Sequence, residues 1–293
     1  MVPRTRPTVR RKRLGAVLRR LRLAAGVSME EAAQRIDGDK PKLSRIENGR
    51  MNVRRLEVEA LLDLYGVTDR ATVGALVELA RQGRRKGWWH QCGQDLDEGF
   101  QERLDLEDDA VRIHVYQPFL VPGLLQTPEY ARRVIREAER DAGDAEISKW
   151  VEMRMARQGI FGRSPAPGFV CVLDEAVIRR RVGGPDVLAS QLEALRERAR
   201  PPEVTIQVIP FGEGWHAGLD GAFAIHGYPD PLELDIVSID YLDGTLYLEE
   251  DASVERYRRA FDQLRASALS SRQSMELITR YARELREEVV EAR

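Results

Sequence analysis

Three short helical segments, separated by tight turns, occupy residues 14–49 and set the strongest limit on the fold. Apolar residues recur at helical spacing in each segment. The second segment begins with the pattern S-x-x-E at Ser28–Glu31, which predicts a capping box. The third, Lys40–Glu47, follows a turn at Asp37-Gly38 and ends at Asn48-Gly49. Two short helices joined by such a turn are typical of a helix-turn-helix.

The third segment has two distinct faces at about 100° per residue. Leu43 and Ile46 fall on one side, which we expect to face the core, and Pro41 and Arg45 fall opposite. An exposed Arg45 could bind the O6 and N7 atoms of guanine in a major groove. Neighbouring side chains suit backbone phosphates, which fix register without reading sequence, namely Lys42, Ser44 and Arg50. The alternative is that these are ordinary solvated charges.

Charge is divided unevenly along the chain. Residues 1–90 hold 21 Lys and Arg against 10 Asp and Glu, a balance of +11, whereas the remainder hold 25 against 38, a balance of −13. This asymmetry predicts a polyanionic partner for the basic end, and double-stranded DNA fits best. We expect residues 1–13 to form a basic flexible arm whose Arg10 and Arg11 contact phosphates. A disordered tail without a role is the alternative.

Several classes of protein are disfavoured by the sequence. The length of 293 residues suggests two domains. The sequence contains no run of apolar residues long enough to span a membrane. The N-terminus has no apolar segment typical of a signal peptide, so we expect a cytoplasmic, nucleoid-associated protein. His90 and Cys92 have no second pair nearby and predict no metal site. Common catalytic and nucleotide-binding motifs are absent, so we expect neither an enzyme nor a cofactor.

The acidic two-thirds of the chain mixes helical and strand patterns. Strands are predicted at 168–175, 204–211 and 221–228, followed by a hairpin at 234–250 that turns at Asp243-Gly244. The predicted fold class is therefore an all-α helix-turn-helix bundle plus an α+β domain with a mixed or antiparallel sheet. The sequence predicts four segments. They are the basic arm at 1–13, a DNA-binding domain at 14–81, a linker at 82–90 and a signal- or partner-binding domain at 91–293.

Two features of the second domain suggest contacts with other molecules. The loop 211–221 carries Trp215 and His216, which could bind a ligand or partner, although Trp215 could equally be tucked into the core. The final helix, 271–290, has an apolar stripe at coiled-coil-like spacing, consisting of Met275, Ile278, Ala282, Leu285 and Val289. We predict a homodimer held by residues beyond 90, with this helix near the two-fold axis or the partner surface. Packing of the stripe on its own sheet is the alternative.

The segment from LGAVLRRL to KLSRIENGR resembles the Xre/Cro/cI-type helix-turn-helix of phage repressors and bacterial regulators, over about residues 14–66. The resemblance implies a pair between Arg22 and Glu47. It places base contacts at Lys40, Pro41 and Arg45. It places phosphate contacts at Asn48 and Arg50. The family usually begins its second helix with a phosphate-binding Gln, whereas this chain has Met29.

The second domain is similar to a domain of unknown function found in actinobacterial Xre-type regulators of the WhiJ group. The shared segments include VPGLLQT, RMARQGIF, DEAVIRRRVGG and VTIQVIPF. The resemblance implies a DNA-binding transcriptional regulator whose second domain receives a ligand or a small protein partner encoded nearby. The alternative is an antitoxin-like protein that neutralises a small cognate partner and regulates its own operon.

Overall fold

The computed structural model describes residues 9–82, 98–200, 203–228, 235–242 and 244–291. The chain divides into two compact units, residues 1–109 with 228–234 and residues 110–227 with 235–293. The sequence-based boundary at residue 91 differs from this division, because the segment 98–109 belongs to the first unit. The predicted linker, with Trp88, Trp89 and His90, falls mostly outside the described residues, as does Cys92.

The described part of the first unit is helical. Its elements are α1 (Val9–Ala24), α2 (Met29–Arg35), α3 (Lys40–Glu47), α4 (Arg55–Leu64), α5 (Arg70–Gln82) and α6 (Glu98–Asp109). Leu18, Leu43, Leu61 and Leu76 are fully buried and hold α1, α3, α4 and α5 around one core. Helix α1 begins at Val9 rather than at Leu14, so residues 9–13, predicted to belong to a flexible arm, are helical.

The second unit contains a six-stranded mixed sheet, which confirms the predicted fold class. Its strands are β1 (Arg112–Gln117), β2 (Gly168–Asp174), β3 (Val204–Ile209), β4 (Phe223–Gly227), β5 (Ile236–Tyr241) and β6 (Gly244–Leu248). The spatial order is β3-β2-β1-β4-β5-β6, with β1, β2 and β3 parallel and the remaining pairs antiparallel. Strand β1, which the sequence reading missed, lies inside the sheet. Gly244 starts β6 instead of occupying the turn.

Helices of the second unit pack around this sheet. They are α7 (Pro128–Ala138), α8 (Asp144–Arg157), α9 (Glu175–Arg179), α10 (Pro185–Arg198), α11 (Asp251–Ser267) and α12 (Ser271–Glu291). The apolar stripe of α12 packs within its own unit, as the alternative interpretation expected, because Ile278, Ala282 and Leu285 are buried where α12 packs on α10 and β3. Arg286 of α12 reinforces this packing by donating to Glu193 of α10 at 2.8 and 3.0 Å. No helix among the described residues is both long and apolar enough to cross a membrane.

Candidate nucleic-acid interface

Local capping fixes where α2 and α3 begin. The Ser28 hydroxyl accepts from the Glu31 N–H at 3.2 Å, and the Glu31 carboxylate accepts from the Ser28 N–H at 2.9 Å, which confirms the predicted capping box. The Asp39 carboxylate accepts from the Lys42 N–H at 2.8 Å and starts α3. These caps satisfy backbone donors that each helix leaves unpaired in its first turn. The start of α3 is therefore set by its own first residues.

Contacts with α1 hold the inner side of α3. A Cβ on Gly15 of α1 would lie 2.5 Å from the carbonyl oxygens of Ile46 and Glu47, so the close crossing of the two helices requires glycine there. Arg22 of α1 donates to both carboxylate oxygens of Glu47 at 2.7 and 3.0 Å, and to the Val27 carbonyl at 3.1 Å. The Arg22 and Glu47 side chains are 8% and 4% exposed, so the structure brings the family-implied pair together and buries it.

The outer side of α3 faces solvent. Lys40, Pro41 and Arg45 are exposed, whereas Leu43 and Ile46 are buried. Arg45 Nε donates to the Pro41 carbonyl at 3.2 Å within the helix. Lys40 forms an ion pair with Glu30 of α2, and both side chains remain about half exposed. The residues assigned to base contacts thus share one accessible face, and their role in reading bases stays a prediction.

Residues assigned to phosphates occupy different environments. Arg50 is exposed just beyond α3, and Asn48 donates to the Ser44 carbonyl at 2.7 Å while remaining exposed. Lys42 is mostly covered: its ammonium donates to the Ile36 carbonyl at 3.0 Å and lies 2.7 Å from Glu57 of α4. A phosphate contact by Lys42 would require it to leave these acceptors. The Ser44 side chain is half-buried next to Asn48.

The N-terminal arginines are placed differently from the prediction of a flexible arm. Arg10 is buried, and its guanidinium binds both carboxylate oxygens of Asp109 on α6 at 2.7 Å. Arg11 is half-buried, and burial lowers the pKa of its guanidinium. Met29, at the family's phosphate-binding position, packs against the core of the unit. The sequence analysis did not predict α6, the acidic helix that pairs with Arg10, because an acidic segment usually indicates a solvated surface.

In the second unit, the predicted partner loop combines a fixed backbone with an exposed aromatic ring. Trp215 is 79% exposed, so the alternative that it is tucked into the core is wrong. His216 is buried, with Nε2 3.4 Å from the Asp174 carboxylate and Nδ1 accepting from the Gly218 N–H at 3.3 Å. A Cβ on Gly218 would lie 2.3 Å from the Tyr116 ring, so the loop passes too close for any larger residue.

The VPGLLQT segment, in the second unit, is held in place by hydrogen bonds of two glutamine side-chain amides. Gln126 donates to the Val121 carbonyl at 2.7 Å and accepts from Arg154 at 2.8 Å. Gln191 of α10 accepts from the Thr127 N–H at 2.7 Å and donates to the Leu125 carbonyl at 2.8 Å. An open cavity of about 560 Å³ adjoins the segment, and its lining includes Thr127, Met155, Phe161 and Arg198. Much of the motif therefore serves to hold its own backbone.

Comparison with protein families assigns both parts of the chain. Residues 13–76 match a helix-turn-helix domain, which supports a DNA-binding regulator. Residues 100–280 match a domain of unknown function, DUF5753. No curated protein and no solved structure matches the chain. Because the second match covers more than half of its length, the chain belongs to the DUF5753 family, with a helix-turn-helix domain in its N-terminal part.

Proposed function

We propose that this protein is a sequence-specific transcriptional regulator of the Xre/Cro/cI type, with α3 as the helix that enters the major groove. The observation that carries the proposal is the two-sided environment of α3. Its inner side is fixed by Leu43, Ile46 and the buried Glu47, and its outer side presents Pro41 and Arg45 to solvent. A reading helix needs this combination, because a base contact is specific only when the helix cannot shift.

Individual roles follow from the chemistry of the exposed side chains. Arg45 suits bidentate binding to guanine, and Lys40 at the helix start suits an acceptor on a neighbouring base. Pro41 has no side-chain donor, so it would contact a base through apolar atoms. Asn48 and Arg50, exposed at the end of α3, suit phosphate oxygens.

A single module of this kind reads few base pairs, so we propose a homodimer on an inverted repeat with half-site centres about one helical turn apart. Residues beyond 90 would hold the dimer. The buried face of α12 cannot do so, since it is occupied within its own unit. A place in the cytoplasm, on the nucleoid, follows from this role.

For the second unit we propose binding rather than catalysis. A small protein partner, or a ligand, would reach it at the loop that carries Trp215. The supporting observation is that a large aromatic side chain projects from a loop fixed by His216 and Gly218. Tryptophan is enriched at binding hot spots, and a fixed backbone lowers the entropy lost on association. An antitoxin-like role, with neutralisation of the partner and autoregulation, is a second candidate supported by the same surface.

The DNA-binding proposal is tested by selecting a preferred duplex from a random pool and measuring its affinity by fluorescence anisotropy. Arg45→Ala should weaken binding by about 1–3 kcal/mol and relax preference at one base pair. Arg81→Ala is the matched control, because Arg81 is an exposed arginine on α5 that pairs within its own helix. Unchanged affinity and base preference in Arg45→Ala would show that α3 does not read the bases through this face.

The proposed partner surface is tested with the product of a neighbouring gene, co-expressed with the full chain. A bound small protein should remain through gel filtration with the wild type and dissociate from Trp215→Ala. Glu213→Gln, an exposed change on the same loop, is the control. Equal retention by wild type and Trp215→Ala would remove this loop from the interface.

A further inference from the structure

The first turns of α1 and one face of α6 form a dense group of opposite charges. Besides its two contacts with Asp109, Arg10 lies 3.4 Å from Asp108 and 3.7 Å from Asp105. The Lys12 ammonium lies 2.5 Å from the Glu102 carboxylate. Arg13 Nη1 lies 3.9 Å from Asp109. Two consecutive turns of α6, from Glu102 to Asp109, thus present carboxylates to the basic start of α1.

The carboxylates of α6 lie close together and partly buried, which disfavours their ionised forms. Burial raises the pKa of Asp105 to about 7, and the nearby charges of Asp109, Asp108 and Glu102 add to this effect, while Arg10 opposes it. Burial alone would lower the pKa of Arg10, but the hydrogen bond with Asp109 and the charges of Asp109, Asp105 and Asp108 together raise that pKa. The helix therefore presents four carboxylates, those of Glu102, Asp105, Asp108 and Asp109, to the cations at the start of α1.

The start of α1 lies next to the predicted phosphate contacts. A Cβ on Gly49 would be 2.7 Å from the backbone nitrogen of Lys12, so the turn after α3 touches α1 at this point. Asn48 and Arg50 flank Gly49 and are exposed. A DNA backbone that runs along Asn48 and Arg50 would pass close to the cations that α6 now covers.

We propose that Arg10 and Lys12 form a second phosphate-binding surface, and that α6 is an intramolecular competitor that occupies it in place of DNA. The inference rests on the proposed DNA-binding function. A guanidinium binds a carboxylate and a phosphate with the same bidentate geometry, so Asp109 occupies the position that a phosphate would take. Displacement of α6 would add phosphate contacts to those of α3 without changing which bases are read.

The consequence for affinity is electrostatic and salt-dependent. Each phosphate neutralised steepens the dependence of log K on log salt by about 0.9. Release of Arg10 and Lys12 therefore steepens the slope by about 2, and the affinity gained shrinks about tenfold between about 50 and 200 mM salt. A helix with a purely structural role would give neither effect.

The test uses the full chain and two fluorescent duplexes, one of mixed sequence and one selected from a random pool. The variant Glu102→Gln/Asp108→Asn/Asp109→Asn removes the competing charges. The control Glu59→Gln/Asp63→Asn/Glu78→Gln removes as many charges from partly exposed or exposed positions of the same unit, each in an ion pair with an arginine of that unit. We expect the first variant to bind both duplexes more tightly, with the steeper salt slope, and the control to keep the wild-type slope.

Two further variants decide between outcomes. Addition of Arg10→Gln and Lys12→Gln to the first variant should abolish the gain, and a gain that persists would overturn the inference. If the first variant is unfolded by circular dichroism, Glu102→Gln alone should steepen the slope by about 0.9, and an unchanged slope would also overturn it. If wild type and all variants bind neither duplex, the proposed function fails and the inference with it. A wild type that binds the selected duplex, with variants of equal slope, overturns the inference alone.

Discussion

Glu47→Ala should destabilise the first unit strongly, because it removes one partner of a buried ion pair. The Glu47 carboxylate accepts two hydrogen bonds from Arg22, and both side chains are less than a tenth exposed. Without Glu47, the guanidinium stays buried with the Val27 carbonyl as its remaining acceptor among these contacts. Loss of one partner from such a pair costs about 3–5 kcal/mol. An exposed pair is worth about 0–1 kcal/mol.

The assay must isolate the first unit, since a single melting temperature is poorly defined for a chain of two units. Hydrogen exchange of peptides from α1 and α3, measured by mass spectrometry in the full chain, reports the opening of this unit directly. A loss of about 3 kcal/mol should accelerate the slowest amides by about a hundredfold. Glu59→Ala, which breaks the exposed pair with Arg55, should leave exchange nearly unchanged.

A double variant separates the buried charge from the lost contact. Arg22→Met/Glu47→Leu removes both charges and keeps apolar volume, so it should recover most of the protection lost in Glu47→Ala. Exchange of Glu47→Ala within about twofold of wild type, well under 1 kcal/mol, would refute the reasoning. So would a double variant as unprotected as the single one, because the cost would then not come from an unpaired buried charge.

Three further outcomes are expected. Gly218→Ala should destabilise the second unit by about 1–3 kcal/mol in urea unfolding, because its methyl group would overlap the Tyr116 ring, whereas Gly212→Ala, which meets open space, should not. Asp105→Asn should flatten the pH dependence of the stability of the first unit. Because the pKa of Asp105 is raised in the folded protein, stability falls as pH rises from about 4 to about 7, by at most about 1.4 kcal/mol per pH unit. Hydrogen exchange corrected for intrinsic rates can follow this change. Trp215→Ala should leave the urea midpoint of the second unit unchanged, since the ring is largely exposed.

The helix-turn-helix could be predicted from sequence because local rules decide it. Capping residues, turn residues and apolar spacing all act within a few positions, so Ser28, Asp39 and Gly49 mark boundaries that the structure reproduces. The same rules failed where a partner distant in sequence decides the outcome. Helix α1 extends back to Val9, and α6, whose acidic residues face that extension, gave no local signal that it would do so.

Strand β1 and the α12 stripe show the same limit in the second unit. In β1, polar His114 alternates with apolar Ile113 and Val115, but its ring is stacked on Phe261 at 4.8 Å, so both faces of the strand are covered. In α12 the spacing of apolar residues predicted the buried side of the helix, and of the two covering surfaces considered, the structure shows the helix's own unit. Spacing reports that a helix has an apolar side and carries no information on whether its own chain or a second copy packs there.

The charge asymmetry of the sequence has a different meaning once the units are known. Residues 91–109 hold eight acidic residues and one basic residue, and 228–234 hold two acidic residues, so the balance of +11 over residues 1–90 falls to +2 for the first unit. Net charge can therefore contribute little to DNA attraction, and local separation of charge must supply it. Exposed Lys40, Arg45 and Arg50 on or beside α3 give one positive region, while α6 neutralises the start of α1. A unit built this way would bind DNA chiefly where α3 can engage, because Arg10, Lys12 and Lys42 beside it already have carboxylate partners.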